Sequence, residues 1–295
     1  MKCLESVLSS SNDVEILVVD NNSGDGTVEM IKSNRLPVRL IENSCNLGFG
    51  KAVNQAARLA KADILFLLNP DTVVSEETLI SVEKFLGENP VIGIGGCYVY
   101  SPQGDSQNCH FKFPTLLSIL AKSLSLFRLI PVKRFAPNSP SNKPSDNTCD
   151  PDSVSGSAMA VRRSVFEQVG GFDEAYFLFY EETDLCYRIK KSGWRIAAIP
   201  QTHVVHYHQQ SARSDFALSV FHNYKSEFLF FQKYYPKYQL PLLRLLQFMG
   251  VFLRTAYWLI VVIVGRGKNE ARAKLRGYLS VLLANYRYDR SLLNI

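Results

Sequence analysis

One stretch limits what this chain can fold into more than any other: Ala62 to Val74, ADILFLLNPDTVV. Asp63 to Leu68 reads as a strand, and Ile64 to Leu68 is an unbroken apolar run without alternation. Such a run suits a central strand of a parallel sheet, covered on both faces. Pro70 has no N–H to give a ladder, so pairing is expected to end there and leave Asp71 just past the carboxyl edge of the sheet. In open α/β sheets that edge is where ligands bind. A carboxylate held there, backed by a dry strand, is placed to hold a divalent cation against phosphate oxygens. Asn69-Pro70-Asp71 is also a plain turn, with Asp71 capping the helix that begins near Glu76, and this stretch alone favours the turn.

The surrounding pattern alternates between strand and helix. Lys2 to Ser9 has Cys3, Leu4, Val7 and Leu8 on one helical face. Val14 to Asp20 is a β-branched run that ends in the polar, glycine-rich loop Asn21 to Thr27, where Asp25 or Thr27 can cap the helix Val28 to Ser33. A short strand, Pro37 to Ile41, leads to the turn Asn46-Leu47-Gly48-Phe49-Gly50 and the helix Lys51 to Ala60. After the central strand come a helix, Glu76 to Leu86, and a strand, Val91 to Tyr98. This order predicts a doubly wound α/β domain of the Rossmann-like kind with a mostly parallel sheet. Gly48-Phe49-Gly50 lacks the third glycine and the later acid of a dinucleotide site, and no phosphate-loop lysine is present.

From 101 to 152 the pattern loosens. Pro131, Pro137, Pro140, Pro144 and Pro151 predict a mobile loop, within which Leu116 to Ile130 is apolar enough for a helix. Order returns at Val154 to Val161 and at Gly170-Gly171-Phe172-Asp173-Glu174. A second chemical candidate follows: Phe177-Leu178-Phe179-Tyr180-Glu181-Glu182-Thr183-Asp184, with three carboxylates after an aromatic run and at a helix start. The helix dipole favours acids there on structural grounds alone. Yet crowded carboxylates beside apolar neighbours have raised pKa values, which is how a general base is tuned. Ile196 to Ile199 is a strand, and in the alternating His203 to His208 the side chains of His206 and His208 share a face; on pattern alone these are structural histidines.

Composition excludes several classes. Hydrophobic residues make up 46% and charged residues 20%, so the chain has an ample core and is not disordered. The net charge of +6 is concentrated late, where Arg254, Arg266, Lys268, Arg272, Lys274, Arg276 and Arg287 face only Glu270 and Asp289. Basic residues beside apolar runs, without an aromatic-basic recognition motif, fit an anionic membrane surface and not nucleic acid. The six cysteines show no CxxC pair and no zinc spacing, as expected of reduced thiols in a cytosolic protein. Met1-Lys2-Cys3-Leu4-Glu5 has no apolar h-region, so no signal peptide is expected.

VVDNNSGDGT, NLGFG, LLNPDTVV, VSGSAMAVRRSVFEQVGGFDE, YFLFYEETDLCYRIKKSGWRI and HVVHYHQQSA occur in this order. Together they resemble glycosyltransferase family 2, of the bacterial dTDP-rhamnosyltransferase type, over about Cys3 to Ser211. The resemblance implies a GT-A fold over 1–212, with a nucleotide half at about 1–100 and an acceptor half at about 150–212. A helical, membrane-associated region, 213–295, would follow. It implies that Asp20 and Asn21 meet the nucleobase, with Asn46 and Gly48 nearby, and that Asn69-Pro70-Asp71 stands at the family's metal motif. Asn69 replaces the motif's first acid, leaving Asp71 as the main carboxylate ligand of a Mg2+ or Mn2+ ion. His206 falls where some relatives supply a further ligand. Glu182 matches the catalytic base, Glu181 is the second candidate, and Asp184 orders the helix.

The implied activity is inverting, metal-dependent transfer of a sugar from a nucleoside-diphosphate donor. The favoured donor is dTDP-L-rhamnose, and the implied acceptor is a cell-surface polysaccharide precursor linked to polyprenyl diphosphate. Two alternatives are a nucleotide-sugar-binding relic without turnover and a nucleotidyltransferase. In this family an apolar strand precedes the segment matched by Cys3 to Leu8, so a central strand of the sheet is expected to be missing, at a cost of several kcal/mol. Leu240 to Val264 is long enough to span a bilayer, but Arg244 and Arg254 interrupt it. A helix lying at the interface is expected instead, with Leu242, Leu243, Leu246, Met249, Leu253 and Trp258 on one side and the arginines on the other; the alternative is a soluble helical hairpin packed on the acceptor half. The protein is thus expected in the cytoplasm, peripheral at the inner face of the cell membrane.

Overall fold

In a computed structural model, residues 1–10, 13–124, 150–207, 216–265 and 268–292 are described, the last stretch with side chains over 269–283. The elements are α1 (Lys2–Ser10), β1 (Leu17–Asp20), α2 (Thr27–Ser33), β2 (Arg39–Glu42), α3 (Phe49–Ala57), β3 (Ile64–Leu68), β4 (Thr72–Val74), α4 (Glu76–Glu88), β5 (Ile92–Gly96), β6 (Val99–Tyr100) and β7 (His110–Phe111). They continue as α5 (Leu116–Leu124), β8 (Ser153–Val154), β9 (Ala158–Arg162), α6 (Arg163–Gln168), α7 (Glu181–Lys191), β10 (Arg195–Ala198), β11 (Val204–His206), α8 (Phe216–Tyr234), α9 (Leu240–Ile263) and α10 (Lys268–Leu292). Two compact units divide them. One holds the described residues of Met1–Phe113 and Ser139–His208, the other those of Pro114–Asn138 and Gln209–Ile295.

The first unit is α/β, with mixed sheets. Its largest sheet has the order β10-β5-β9-β3. β10 and β5 are parallel, but β9 runs antiparallel to both β5 and β3, with Leu68 opposite Ala158 and Ile64 opposite Arg162. The expectation that Ile64–Leu68 is a central parallel strand is therefore corrected: β9 is its one strand partner among the described residues. An unbroken apolar run reports that both faces are covered, and it carries no information on strand direction. Both faces are indeed covered. Met159, Val161 and Leu65 join Phe166, Phe172, Leu185 and Ile189 on one side, while Ala158 and Ala160 join Val82, Leu86, Ile92 and Ile199 on the other. The parallel pair β1-β2 and the sheet β4-β11-β6 complete the frame of the site.

The stretch expected to be a mobile loop, 101–152, contains ordered elements. β7 pairs antiparallel with β8, and the expected helix begins at Leu116 as α5; its continuation beyond 124, and the prolines from Pro131 to Pro144, lie outside the described residues.

The second unit is helical, built from α5, α8, α9 and α10. Its interior is not wholly apolar. Glu227, fully buried on α8, accepts hydrogen bonds from Lys122 at 3.2 Å and Gln247 at 2.9 Å. Arg254 donates to the carbonyls of Gly250 and Lys122 at 2.9 and 2.7 Å. The expected division of α9 into one apolar and one basic side is corrected: Leu243, Leu246 and Val251 are buried, while Leu242, Phe248 and Phe252 are exposed. Both sides are apolar, and Arg254 is turned onto backbone carbonyls of its own unit.

Candidate active site

The strand–turn boundary forms where Pro70 stops the ladder. β3 ends at Leu68, Asn69 N–H donates to Ser157 O at 3.1 Å, and Thr72 returns its amide and hydroxyl to Asn69 O at 3.2 and 2.6 Å. The chain then re-enters a sheet as β4, antiparallel to β11, with Thr72 opposite His206. This register brings His206 Nε2 to 3.0 Å from Asp71 Oδ1, and Tyr207 N–H to 2.9 Å from Asp71 O. Asp71 does not cap α4. Ser75 stands at the N-cap of α4, with its hydroxyl 2.8 Å from that of Thr78. His206 and Asp71 are both largely buried, with side chains 8% and 19% exposed. His208 lies outside the described residues.

A carboxylate oxygen and an imidazole nitrogen on one side of the turn form a donor set that fits a Mg2+ or Mn2+ ion, with phosphate oxygens and water completing the shell. Among the described residues no group of three or more His, Cys, Asp or Glu side chains gathers here, so protein ligands alone would leave the shell open. Asn69 sits at the turn with its side-chain amide making no hydrogen bond among the described residues.

The loop after β1 is held by its own side chains. Asp20 is buried, and its carboxylate accepts the amides of Asn22 at 3.0 Å and Ser23 at 3.2 Å as well as the Ser23 hydroxyl. Asn21 Nδ2 donates to Gly48 O at 3.1 Å and its Oδ1 accepts from Asn43 at 2.9 Å. Asn43 and Gln55 exchange amide hydrogen bonds at 2.9 and 3.0 Å. Asn46 Oδ1 accepts the Gly48 amide at 2.9 Å. Asp20 and Asn21 are thus engaged in shaping the loop, and Asn21, Asn46 and Gly48 are brought together as one bonded group. Asn43 and Gln55 were missed by sequence reasoning.

The third element is the acidic helix start. Phe179 and Tyr180 both have φ of 67°, a left-handed conformation rare for aromatic residues, and α7 begins immediately afterwards. Asp184 is fully buried and bound to Arg188 Nε at 2.7 Å, so it orders the helix. Glu181 is 4% exposed, with Oε2 lacking a hydrogen-bond partner. Burial pushes its carboxyl well above the ordinary range, and the adjacent Glu182 adds to that rise. Glu182 is half-buried, and burial raises its carboxyl too. It makes no hydrogen bond to another residue among the described ones.

Short links join these pieces. Phe49 N–H donates to Phe177 O at 3.1 Å, tying the glycine turn to the acidic segment. Gly156 has the Phe49 ring on one side and Glu182 Cβ on the other, 3.7 and 3.8 Å from where its own β-carbon would be. Its neighbour Ser157 holds Asn69. Asn54, buried on α3, accepts from Phe172 N–H and donates to Phe172 O, both at 2.9 Å, fixing the GGFDE turn. One signal was available for it: an asparagine in a helix whose Val53, Ala56, Ala57 and Ala60 recur at helical spacing.

A family model described as "Glycosyl transferase family 2" matches residues 1–170, more than half of the chain. The chain belongs to glycosyl transferase family 2. A second model, "N-terminal domain of galactosyltransferase", matches residues 143–210 of this family 2 enzyme and takes in Glu182 and His206. Among curated relatives, the N-acetylglucosaminyl-diphospho-decaprenol L-rhamnosyltransferase of Mycobacterium tuberculosis is 29% identical over 239 residues, 76% of each chain. Rhamnosyltransferase WbbL of Escherichia coli K12 is 30% identical over 178 residues, 60% of this chain and 64% of its own. The solved mannosyltransferase PcManGT from Pyrobaculum calidifontis, in complex with GDP-Man and Mn2+, superposes with a TM-score of 0.55 at 16% identity, covering 97% of this chain and 82% of its own. GalNAc-T7 with UDP, GalNAc and Mn2+ superposes with a TM-score of 0.51 at 16% identity, covering 69% of this chain and 39% of its own. The fold is GT-A, and the protein is a glycosyltransferase.

Proposed function

We propose that the enzyme moves L-rhamnose, with inversion, from a dTDP-linked donor to a sugar carried on polyprenyl diphosphate at the cytoplasmic face of the membrane. The observation that carries the reading is the Asp71–His206 pair at the end of β3, linked through Asn69, Ser157 and Gly156 to the half-buried Glu182. The names of the mycobacterial and Escherichia coli relatives favour rhamnose and a lipid-diphosphate acceptor. Asp71 and His206 would hold a divalent cation, which when bound would stabilise the charge growing on the departing diphosphate. Glu182 takes the proton of the acceptor hydroxyl as its oxygen attacks the anomeric carbon, and the sugar–phosphate bond breaks on the opposite face. The raised affinity of Glu182 for a proton suits that role. Glu181 takes no acceptor proton; burial and the neighbouring Glu182 keep it protonated, so it places no second negative charge beside the base. Asn21, Asn46 and Gly48 shape the wall for the nucleotide.

The deciding experiment incubates the full chain with dTDP-rhamnose, UDP-sugars, GDP-sugars or nucleoside triphosphates and a short polyprenyl-diphosphate N-acetylglucosamine, with Mn2+ or a chelator. Rhamnosylated lipid and free dTDP are expected, and both should vanish with the chelator. Transfer from a UDP- or GDP-sugar alone would overturn the donor, transfer surviving the chelator would overturn the metal, and pyrophosphate release would mean a nucleotidyltransferase. Donor binding without product would mean a relic.

A further inference from the structure

The helix α9 carries 24 residues, and the segment Lys237–Ile263 is long and apolar enough to cross a membrane by length and composition, with mean hydropathy 1.7 over its most apolar 18 residues. One side of α9 is spent inside the helical unit, where Leu243, Leu246 and Val251 are buried. On another side Leu245, Phe248, Phe252, Leu259 and Ile263 are 47–75% exposed. Their spacings of three, four, seven and four residues place them on one stripe. The rings of Phe248 and Phe252 stack along it with centroids 6.2 Å apart. A water-soluble surface seldom carries an apolar stripe of this length without something to cover it.

Charge identifies the cover. Between Glu227 and Glu270 the chain has no Asp or Glu, yet it has Lys233, Lys237, Arg244, Arg254, Arg266 and Lys268. Lys233, Lys237 and Arg244 are exposed, and the Arg244 guanidinium lies 4.7 Å from the Phe228 ring centroid. On α10, Arg272 and Arg276 are exposed and in helical register with the exposed Leu279 and Leu283. The acid of that helix's first turn, Glu270, is paired with Lys274 at 2.6 Å. A second copy of the chain would bring the same cations against each other, whereas an anionic bilayer supplies both acyl chains and phosphates.

We infer that α9 lies in the plane of an anionic membrane surface, its Leu245–Phe248–Phe252–Leu259–Ile263 stripe among the acyl chains and the basic residues at headgroup phosphates. A crossing helix is disfavoured by its partners. Gln247 is bound to the buried Glu227, Glu227 to Lys122, and Arg254 to Lys122 O, so a spanning α9 would carry a bound polar cluster into hydrocarbon or break it. The inference deepens the proposed function, because a lipid-linked acceptor lies at such a surface.

The test sediments the full chain, without any sugar substrate, with vesicles of phosphatidylcholine or of phosphatidylcholine with phosphatidylglycerol. Strong binding to the anionic vesicles, weakened by salt, is expected. The pair Phe248→Glu and Phe252→Glu, and separately the pair Arg272→Glu and Arg276→Glu, should each weaken binding by roughly tenfold or more. Helical circular dichroism and the melting temperature should be close to wild type in both pairs and certify folding. Wild-type protein left in the supernatant, or both pairs binding as wild type, would overturn the inference. So would release from native membranes by detergent only, which means a span. A dimer that the phenylalanine pair dissolves without changing vesicle binding would make a second copy the occupant and also overturn it. None of these results bears on sugar transfer, so the reaction stands or falls separately.

Discussion

A β-carbon on Gly48 would stand 2.6 Å from the carbonyl oxygen of Phe177. Gly48 also has φ of 87°; its N–H donates to Asn46 Oδ1 and its carbonyl accepts from Asn21 Nδ2. Gly48→Ala therefore meets backbone strain of about 1–2 kcal/mol and a clash that only a shift of the acidic segment can relieve. The variant should melt several degrees lower and turn over at least about tenfold more slowly, since Phe177 leads directly to Glu182. Differential scanning calorimetry and steady-state kinetics check it. Wild-type melting with wild-type turnover would show that the two loops are not coupled.

Asp71→Ala should abolish turnover and weaken donor binding in the presence of Mn2+, while leaving metal-free donor binding little changed. Calorimetric titration with and without a chelator separates these terms. The imidazole of His206 loses its contact with Asp71 in this variant, so the fold is best monitored through the β4–β11 ladder by hydrogen exchange. Undiminished activity would remove Asp71 from the mechanism.

Glu182→Gln keeps shape and removes basicity, and no hydrogen bond to another described residue is lost. Its kcat should fall by roughly 10²–10⁴, the usual contribution of a positioned base, with donor affinity close to wild type. Glu181→Gln should retain more activity and shift the pH profile. If Glu181→Gln is the dead variant and Glu182→Gln the active one, the two roles are exchanged.

The same pair makes stability depend on pH in a direction opposite to activity. Both carboxyls bind their protons more tightly folded than unfolded, because burial raises them. Their contribution is complete below the ordinary carboxylate value of 4.5 and is lost as pH rises through the raised values. The melting temperature should therefore decline as pH rises from about 4.5 to about 9, less steeply in Glu181→Gln, while kcat climbs as the base ionises. Melting curves of both proteins across that range test it; parallel slopes would contradict it.

Much of the frame was legible in the residues. Pro70 marks the end of β3, and the polar cluster after Asp20 marks a loop, because both depend on local backbone chemistry. The antiparallel arrival of β9 was not legible: Leu68 meets Ala158 across 90 residues of chain, and an all-apolar strand records burial without direction. Asp71 reads as a turn or cap until the register of β4 with β11 sets His206 beside it, a long-range fact. The left-handed pair Phe179–Tyr180 was hidden for a different reason. Sequence flags such geometry through glycine or asparagine, and here two aromatic residues adopt it.

Those two residues set the terms on which this enzyme could adapt to heat. Each holds a conformation that costs about 1–2 kcal/mol for a side chain with a β-carbon. Tyr180→Gly would relieve that strain, offset in part by glycine's greater freedom in the unfolded chain and the loss of the half-buried ring. The same change would let the first turn of α7 wander and Glu182 with it. A lineage moving to hotter surroundings would thus have to gain its stability elsewhere, in the cores around the sheet, and carry its strained aromatic corner along unchanged.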